Sequence, residues 1–215
     1  IDNLIEKTEA AIKKYEQIKR GMMHDLFTRG VDKNGKLRPT PEEAPELYKP
    51  APELGENVVI PKEWEVVETA NLSLKLWIGL VTTMTAHYAE SGVPLIRNQN
   101  IRENRIEKLD NIHLTNKFAE LHSGRAVLKG DVVKVHTGDV GTSAVIDDKY
   151  NGAQGFATIN TRVDQKVVTN QYVSDFYNSF LFKKQVSSVV TGDGRSNLNL
   201  GDFIGLQVAY PLSLF

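Results

Sequence analysis

The first thirty residues place apolar side chains at a spacing that only a helix can bring together on one face. The spacing alternates between four and three residues, which is the repeat of a coiled-coil seam. Asp2 is suited to cap the start of such a helix and Gly30 to end it. At about 1.5 Å per residue the helix would be roughly 45 Å long. The eight seam positions, six of them apolar, are Ile1, Ile5, Thr8, Ile12, Tyr15, Lys19, Met22 and Leu26.

This amphipathic helix allows two interpretations. It is either an ordinary helix folded onto its own domain or a coiled-coil arm that pairs with another helix. The long segment that follows favours the arm, because it leaves the apolar stripe without a sequence neighbour to cover it. The residues predicted to pair are the apolar seam positions Ile1, Ile5, Ile12, Tyr15, Met22 and Leu26.

Residues 31–60 have the composition of a linker. They contain five of the eight prolines of the chain and five glutamates. Proline removes backbone donors and the acids repel one another, so we expect an extended connector, anchored at most by residues 47–48 and 58–60. The chain is thus predicted to consist of a helical arm over 1–30, a linker over 31–60 and a globular domain over 61–215.

The globular domain is predicted to be α+β, mostly β with one or two packed helices. Its predicted strands are short, rich in valine and isoleucine, and bounded by glycine, aspartate or asparagine. They are "EWEVVETA", "VPLIRN", "GDVVKVHTG", "TSAVID", "GFATINTRV" and "GDFIGLQVAYP". The predicted helices are "NQYVSDFYNSFLFKKQVSSVV" and the shorter "TNKFAELHSG", closed by Gly124.

The composition excludes several classes of protein. The 215 residues include no cysteine, which excludes disulfides and thiolate metal sites and fits a cytoplasmic location. No run approaches the ~20 apolar residues of a membrane span, so no membrane partner is expected. The formal net charge is −1, so binding to nucleic acid would need a local basic patch or a partner's help. The chain begins at Ile1 rather than Met and shows no signal peptide, so we expect an excerpt from a longer protein.

Motifs for catalysis or cofactor binding are absent from the sequence. The stretch "HTGDVGTSA" (residues 136–144) lacks the lysine that a phosphate-binding loop places before its serine or threonine, so we interpret it as a turn between strands. The five histidines do not have the spacing of metal ligands. We therefore predict that the chain is not an enzyme and binds no cofactor or metal itself.

The stretch "VPLIRNQNI" (residues 93–101) ends an apolar strand in a run of polar side chains. A protein core does not need them, and a turn would more often use glycine, aspartate or proline. Arginine pairs bidentately with the acceptor edge of guanine, and asparagine or glutamine pairs with adenine. The stretch therefore predicts contacts to DNA bases.

Polar residues near the ends of other predicted strands extend this candidate set. Lys134 and His136 lie two residues apart and so share one strand face, and the glycines before Arg195 favour a loop. Lysine would mostly position phosphates, whereas arginine, asparagine and glutamine would specify bases. The alternative for each group is an ordinary solvated surface. The candidate DNA-binding residues are Arg97, Asn98, Gln99, Asn100, Arg102, Lys134, His136, Thr137, Thr142, Asn160, Arg162, Lys166, Arg195, Asn197 and Asn199.

Long blocks of the sequence resemble a known family. They are "YEQIKRGMMHDLFTRGVDKNGKLRP", "APELYKPAPELG" and "IPKEWEVVE", followed in order by "SGVPLIRNQNI", "LKGDVVKVHTGDVGTSAVI", "GFATINTRV", "FYNSFLFKKQ" and "GDGRSNLNLGDFIGLQVAYP". Together they resemble the specificity (S) subunits of type I restriction–modification systems. The match runs along nearly the whole chain, and the block from helix to linker is its most specific part.

The resemblance implies a non-catalytic DNA-recognition subunit. An S subunit has two target-recognition domains joined by two antiparallel helices, and each domain reads one half of a split target in double-stranded DNA. It carries methyltransferase subunits, which use S-adenosylmethionine, and is joined by a restriction subunit that uses ATP and Mg²⁺. This sequence has one such domain and ends at "YPLSLF", where the family continues into a second helix. We therefore expect a C-terminal half or a natural half-length subunit, whose helix pairs with the missing half or with a second copy.

Two other readings of the residues stay open. One is a non-catalytic coiled-coil adaptor whose α+β domain binds a protein or a carbohydrate. The other is an enzyme with an unrecognised site, which a metal or nucleotide retained on purification would reveal.

Overall fold

The computed structural model describes residues 2–107, 112–192 and 196–212. The chain opens with one long helix, α1 (Asp2–Thr28). Gly30 follows it with a φ of +68°, a left-handed conformation that favours glycine, and a Cβ there would lie 2.7 Å from the Trp64 ring. The predicted helix and its stop are therefore confirmed.

Most of α1 projects away from the rest of the chain. Ile12 is 54% exposed and Tyr15 is 70% exposed, and the seam residues Ile5, Met22 and Leu26 are exposed as well. Packing begins near the end of the helix, where Met23 is half-buried and Phe27 is buried against Tyr172 and Phe176. The domain therefore leaves the apolar seam of the helix uncovered, and the pairing of this seam with another helix stays a prediction. Ile1 lies outside the described residues.

The proline-rich segment is packed rather than extended. Strands β1 (Tyr48–Pro50) and β2 (Val59–Pro61) pair antiparallel within it. Pro45 and Pro52 begin single 3-10 turns, where a missing N–H costs little, and these turns fold the chain back on itself. As a result Leu54 and Ile60 are buried in the main core. The expectation of an unpacked connector is wrong for residues 44–60, and the division into three domains stays a prediction.

The remaining elements form a mixed α+β domain, as the sequence predicted. Its first group of strands is β3 (Trp64–Glu68), β4 (Ser73–Ile78), β5 (Tyr88–Ala89), β6 (Val93–Arg97), β7 (Ile101–Arg102), β8 (Arg105–Ile106) and β9 (His113–Leu114). The later elements are α2 (Asn116–Leu121), β10 (Val132–Val135), β11 (Ser143–Val145), β12 (Gln154–Phe156), β13 (Thr158–Val163), α3 (Asn170–Asn178), α4 (Phe180–Val189), α5 (Leu200–Ile204) and β14 (Gln207–Pro211).

Two four-stranded sheets organise the domain. One is antiparallel with the order β11-β10-β13-β4, and the other has the order β12-β6-β9-β5, in which β12 runs parallel to β6. The last strand, β14, pairs with β3, so the two ends of the domain are joined in one ribbon. The chain between β12 and β13 is a single residue, Ala157, with a φ of +52°, so the two sheets meet there.

Four predicted elements differ in detail. "GFATINTRV" was predicted as one strand, but Ala157 divides it into the end of β12 and β13, which belong to different sheets. "GDFIGLQVAYP" was predicted as one strand, but its first half is helix α5 and only its second half is strand β14. The long helix predicted over residues 170–190 is divided by Ser179, whose extended backbone ends α3 and whose hydroxyl caps α4 through the Phe182 amide. The shorter helix ends at Leu121, before a 3-10 turn that contains Gly124. Strand β4 was not predicted, although its first four residues alternate between polar and apolar.

The main core lies between α3, α4, the β3–β14 ribbon and one face of the first sheet. Phe176, Tyr177, Phe182 and Phe203 form its aromatic centre, with several ring pairs in edge-to-face contact. A second cluster around Trp77, Ile96 and Val133 fills the space between the two sheets. Ile96 of β6 and Val133 and Val135 of β10 belong to this second cluster, so both strands are packed in it just before their polar loops begin.

Candidate nucleic-acid interface

Three segments that the sequence analysis selected separately meet on one surface. Asn98, just after β6, donates its amide Nδ2 to the Thr137 carbonyl oxygen at 2.8 Å. Thr137, just after β10, donates its hydroxyl to Asn197 Oδ1 at 2.8 Å, and the backbones of Thr137 and Asn197 also form a bridge. His136 Nδ1 lies 2.7 Å from the same hydroxyl oxygen. We call Asn98, His136, Thr137 and Asn197 the polar junction.

The loop that carries Asn98 is shaped by Asn100. The Asn100 side chain accepts a hydrogen bond from the Arg97 amide at 2.9 Å and donates one to the Glu107 carbonyl at 3.1 Å. It is only 4% exposed, so it is withdrawn as a DNA contact, and its role is to close the loop. Arg97 is half-buried and Gln99 is exposed beside it, so both stay candidates.

Lys134 is not the surface residue that the sequence predicted. It is 1% exposed, and its Nζ donates to the Gly141 carbonyl at 2.6 Å beneath the rings of Tyr177 and Phe182. Burial lowers the pKa of the Lys134 amine well below its usual range, and the charge of Lys183 lowers it further. Lys134 and His136 do share a strand face. That face is buried at Lys134 and becomes partly exposed only at His136, just after β10 ends.

Two more candidates are buried. Thr142 donates its hydroxyl to Asp139 at 3.3 Å, and Asn160 accepts a hydrogen bond from the Thr158 hydroxyl at 2.8 Å. Both side chains are below a tenth exposed, so neither can reach DNA in this conformation. We withdraw Thr142 and Asn160 from the candidate set for this reason.

The Arg162 group lies at the other end of the sheet. Arg162 sits near the end of β13, and its guanidinium forms a two-pronged ion pair with buried Asp131, both contacts at 2.8 Å. The hydrogen bonds that Arg162 donates to Asp131 raise the pKa of Arg162, and the pair holds the side chain against the start of β10. Lys166 is exposed just beyond. The structure does not bring these two residues to the polar junction.

The other candidates lie around or beyond the junction. Arg102 is paired with Glu107 at 3.1 Å, and Asn199 is exposed and hydrogen-bonded to Asp202 at 3.3 Å. Arg195 lies outside the described residues. The roles of Arg97, Asn98, Gln99, Arg102, His136, Thr137, Asn197 and Asn199 in DNA contact stay predictions.

The sequence analysis missed the hairpin between β7 and β8. Its tip residue Asn104 accepts hydrogen bonds from Ser174 at 2.8 Å and Asn178 at 3.1 Å, which fixes the hairpin to α3. The neighbouring Glu103 forms ion pairs with Lys19 of α1 and, at 2.6 Å, with Lys183 of α4. These contacts cross a groove of about 720 Å³ between α1, α4 and the hairpin. Lys19 and Lys183 lie 84 and 80 residues from Glu103 in the chain, so no local sequence pattern could predict these two ion pairs.

No helix among the described residues is long and apolar enough to cross a membrane. No cluster of three or more histidine or acidic side chains in the described ranges could hold a metal ion.

Sequence comparisons identify no relative of this chain. No protein-family model matches it, and no curated protein matches it.

Solved structures, in contrast, share its fold. The S subunit of a type I restriction–modification system from M. genitalium is 13% identical with a TM-score of 0.50, over 70% of this chain and 35% of that one. A chain from a structure on complex assembly and conformational transition of the type I system is 11% identical with a TM-score of 0.57, over 98% and 47%. The HsdS subunit from Thermoanaerobacter tengcongensis is 14% identical with a TM-score of 0.51, over 71% and 39%.

The chain therefore has the α+β fold of type I specificity subunits, as the sequence resemblance predicted. It spans less than half the length of each of these three chains.

Proposed function

We propose that this chain recognises a specific sequence in double-stranded DNA as part of a type I restriction–modification specificity subunit. The observation that supports this most strongly is the shared fold, which extends over 98% of the chain and includes the projecting helix. The polar junction supports it independently. Three loops whose side chains suit base edges converge there, although they are about 40 and 60 residues apart in the chain.

The charge of the chain limits how it would bind. With a net charge of −1, it has no overall attraction to the DNA phosphates, whose contacts dominate affinity. We infer that a methyltransferase subunit supplies most of the phosphate contacts, and that this chain supplies base contacts through residues such as Arg97 and Gln99. Binding by the isolated chain should then be weak, and binding by the complex should be strong and dependent on salt.

The exposed seam of α1 suggests how two recognition domains would be joined. Apolar residues along most of a long helix need a partner, and a second helix of the same type would cover them. That helix would come from the other half of an S subunit or from a second copy of this chain. Each domain would then read one half of a bipartite target, and two identical copies would read a palindromic one.

The chemistry would reside in other subunits. In this proposal the chain is non-catalytic and directs methyltransferase and restriction subunits to the site. S-adenosylmethionine, ATP and Mg²⁺ would be bound by those subunits rather than by this chain.

The test is co-expression with a cognate methyltransferase subunit, followed by methylation of random-sequence DNA. We expect a stable complex and methyl transfer at one defined site. A chain that dimerises through α1 but gives no complex and no sequence preference would contradict the proposal. That result would instead support the adaptor reading, in which the domain binds a protein or a carbohydrate.

A further inference from the structure

The hydrogen bonds of the polar junction determine where the His136 ring carries its proton. Asn197 Oδ1 can only accept, so the single hydroxyl proton of Thr137 is committed to it. The Thr137 oxygen must therefore accept from His136 Nδ1, which lies 2.7 Å away. A neutral His136 ring then has its proton on Nδ1, and Nε2 is left as a bare hydrogen-bond acceptor.

This acceptor belongs to a partly exposed side chain on a hydrogen-bonded backbone. The His136 amide donates to the Ala157 carbonyl at 3.3 Å, and its carbonyl accepts from the Leu198 amide at 3.0 Å. Within the described parts of the chain Nε2 makes no hydrogen bond, and it is not one of the buried unpaired polar atoms. Burial of the ring lowers the pKa of His136, which keeps the ring neutral and the acceptor available at neutral pH.

An acceptor fixed in this way selects a hydrogen-bond donor. In the major groove of DNA the base edges that donate are the exocyclic amines of adenine and cytosine, whereas guanine and thymine present acceptors. We propose, resting on the DNA-recognition function above, that His136 Nε2 accepts a hydrogen bond from one such amine and so specifies one base pair of the target. His136 is then a specificity-determining residue, and Thr137 and Asn197 are positioning residues that fix its tautomer.

Two substitutions of His136 distinguish the role of Nδ1, which binds Thr137, from the role of Nε2, the proposed acceptor. In His136→Asn the amide can keep the hydrogen bond to Thr137, but no atom remains at the position of Nε2. In His136→Gln the longer side chain can place an amide oxygen near that position. Lys117→Ala, on the exposed face of α2, is the matched control, because no described hydrogen bond or ion pair involves the Lys117 side chain.

The experiment selects binding sites from randomised duplexes at low salt, using the complex of a methyltransferase subunit with the full chain, either wild type or variant. Duplexes in which the amine of one adenine or cytosine is deleted, with purine or 2-pyrimidinone as the base, are then titrated. For the wild type we expect deletion at one position to weaken binding roughly tenfold or more. For His136→Asn the same deletion should have no further effect, while His136→Gln should restore part of the discrimination and Lys117→Ala should match the wild type.

The outcomes separate this inference from the proposed function. If the wild type selects a sequence but His136→Asn responds to every amine deletion as the wild type does, DNA recognition stands and the role of His136 is overturned. An effect of His136→Asn confined to a guanine or thymine position overturns it equally. If the wild type selects no sequence at all, the proposed function fails, and this inference fails with it.

Discussion

Residues of the same type have opposite roles in this protein. Asn98 and Asn100 lie in one loop, yet Asn98 joins the polar junction while Asn100 is buried and closes the loop. Lys134 and Lys166 were both predicted to contact DNA, but the first is in the core and the second is exposed. At the scale of single residues, burial and hydrogen-bond partners determine whether a candidate side chain remains available for DNA contact or supports the fold.

The first prediction concerns Asn100. Replacing Asn100 by alanine removes the partner of the Arg97 amide and of the Glu107 carbonyl, both in a partly buried loop. Losing two such hydrogen bonds should lower the free energy of unfolding by about 2 kcal/mol. Urea denaturation would measure the change, with Asn71→Ala at an exposed position as the control. Equal stability of the two variants would show that Asn100 does not hold the loop.

The second prediction concerns Lys134 and pH. Its pKa is lowered in the folded state, so between that value and about 10.4 the unfolded chain binds more protons than the folded chain. The contribution of Lys134 to stability should therefore increase as pH rises, by at most ~1.4 kcal/mol per unit, and decrease as pH falls. Urea denaturation at pH 7 and pH 9 should show a shallower pH dependence for Lys134→Met than for the wild type.

Lys117→Met is the control for this measurement, because Lys117 is exposed on α2. It should keep the pH dependence of the wild type. If Lys134→Met also kept it, the buried amine would not be the source of the effect.

At the scale of elements, the orientation of α1 depends on a few contacts near its end. Phe27 anchors the helix in the core, and Glu103 of the β7–β8 hairpin reaches Lys19, eight residues earlier in the helix. Burial would raise the pKa of the Glu103 carboxyl, but hydrogen bonds from Lys183 and Lys19 outweigh it and the pKa is lowered. Glu103 therefore remains charged at neutral pH and links α1 to α4. The β7–β8 hairpin also adjoins the loop of Asn98. The same hairpin therefore contacts α1 and borders the candidate interface.

The third prediction is that Glu103→Gln loosens α1 without unfolding the domain. Exposed ion pairs contribute about 1 kcal/mol or less each, so the free energy of unfolding should change little. The chain has no cysteine, so spin labels can be placed at Lys7→Cys and Glu120→Cys alone. Double electron–electron resonance should give a narrow distance distribution for the parent and a broader one for Glu103→Gln.

The control is Asp148→Asn, which removes the exposed ion pair with Lys129. It should leave the distance distribution unchanged. A distribution that Glu103→Gln does not broaden would mean that the packing of Phe27 and Met23 alone orients the helix.

At the scale of the whole molecule, an exposed apolar helix and a nearly neutral domain both point to association. Large apolar side chains are exposed along α1, where a second helix could cover them, and the net charge of the chain is only −1. Both features are those expected of one component of a larger assembly.

The fourth prediction is that the seam mediates this association. Ile5→Glu with Ile12→Glu should abolish pairing through α1, because charges at seam positions must be desolvated. Sedimentation equilibrium would measure association of the chain with itself or with a methyltransferase subunit. Lys14→Glu lies away from the seam and should behave as the wild type. Because all three positions are exposed, none of the variants should alter the thermal unfolding of the domain.

Some features could be predicted from the sequence because they depend on local pattern. The 4-3 spacing, the cap and the glycine stop predict α1, and short valine-rich runs between turn residues predict β3, β6, β10 and β11. The same reasoning failed at residues 44–60 and at α5, where packing against distant strands overrode composition. It also could not show that Ser179 divides α3 from α4, since one serine does not by itself end a helix.

The sequence alone determined the helical arm, the α+β class and the segments in which polar side chains suit DNA bases. It did so because helix and strand periodicity act over a few residues, within which the chain holds all the information needed. Only the tertiary structure decided which of those side chains share a surface. Asn98, Thr137 and Asn197 meet, while Asn100, Lys134, Thr142 and Asn160 are buried, because strand pairing and core packing join residues far apart in the chain and turn each strand face inward or outward.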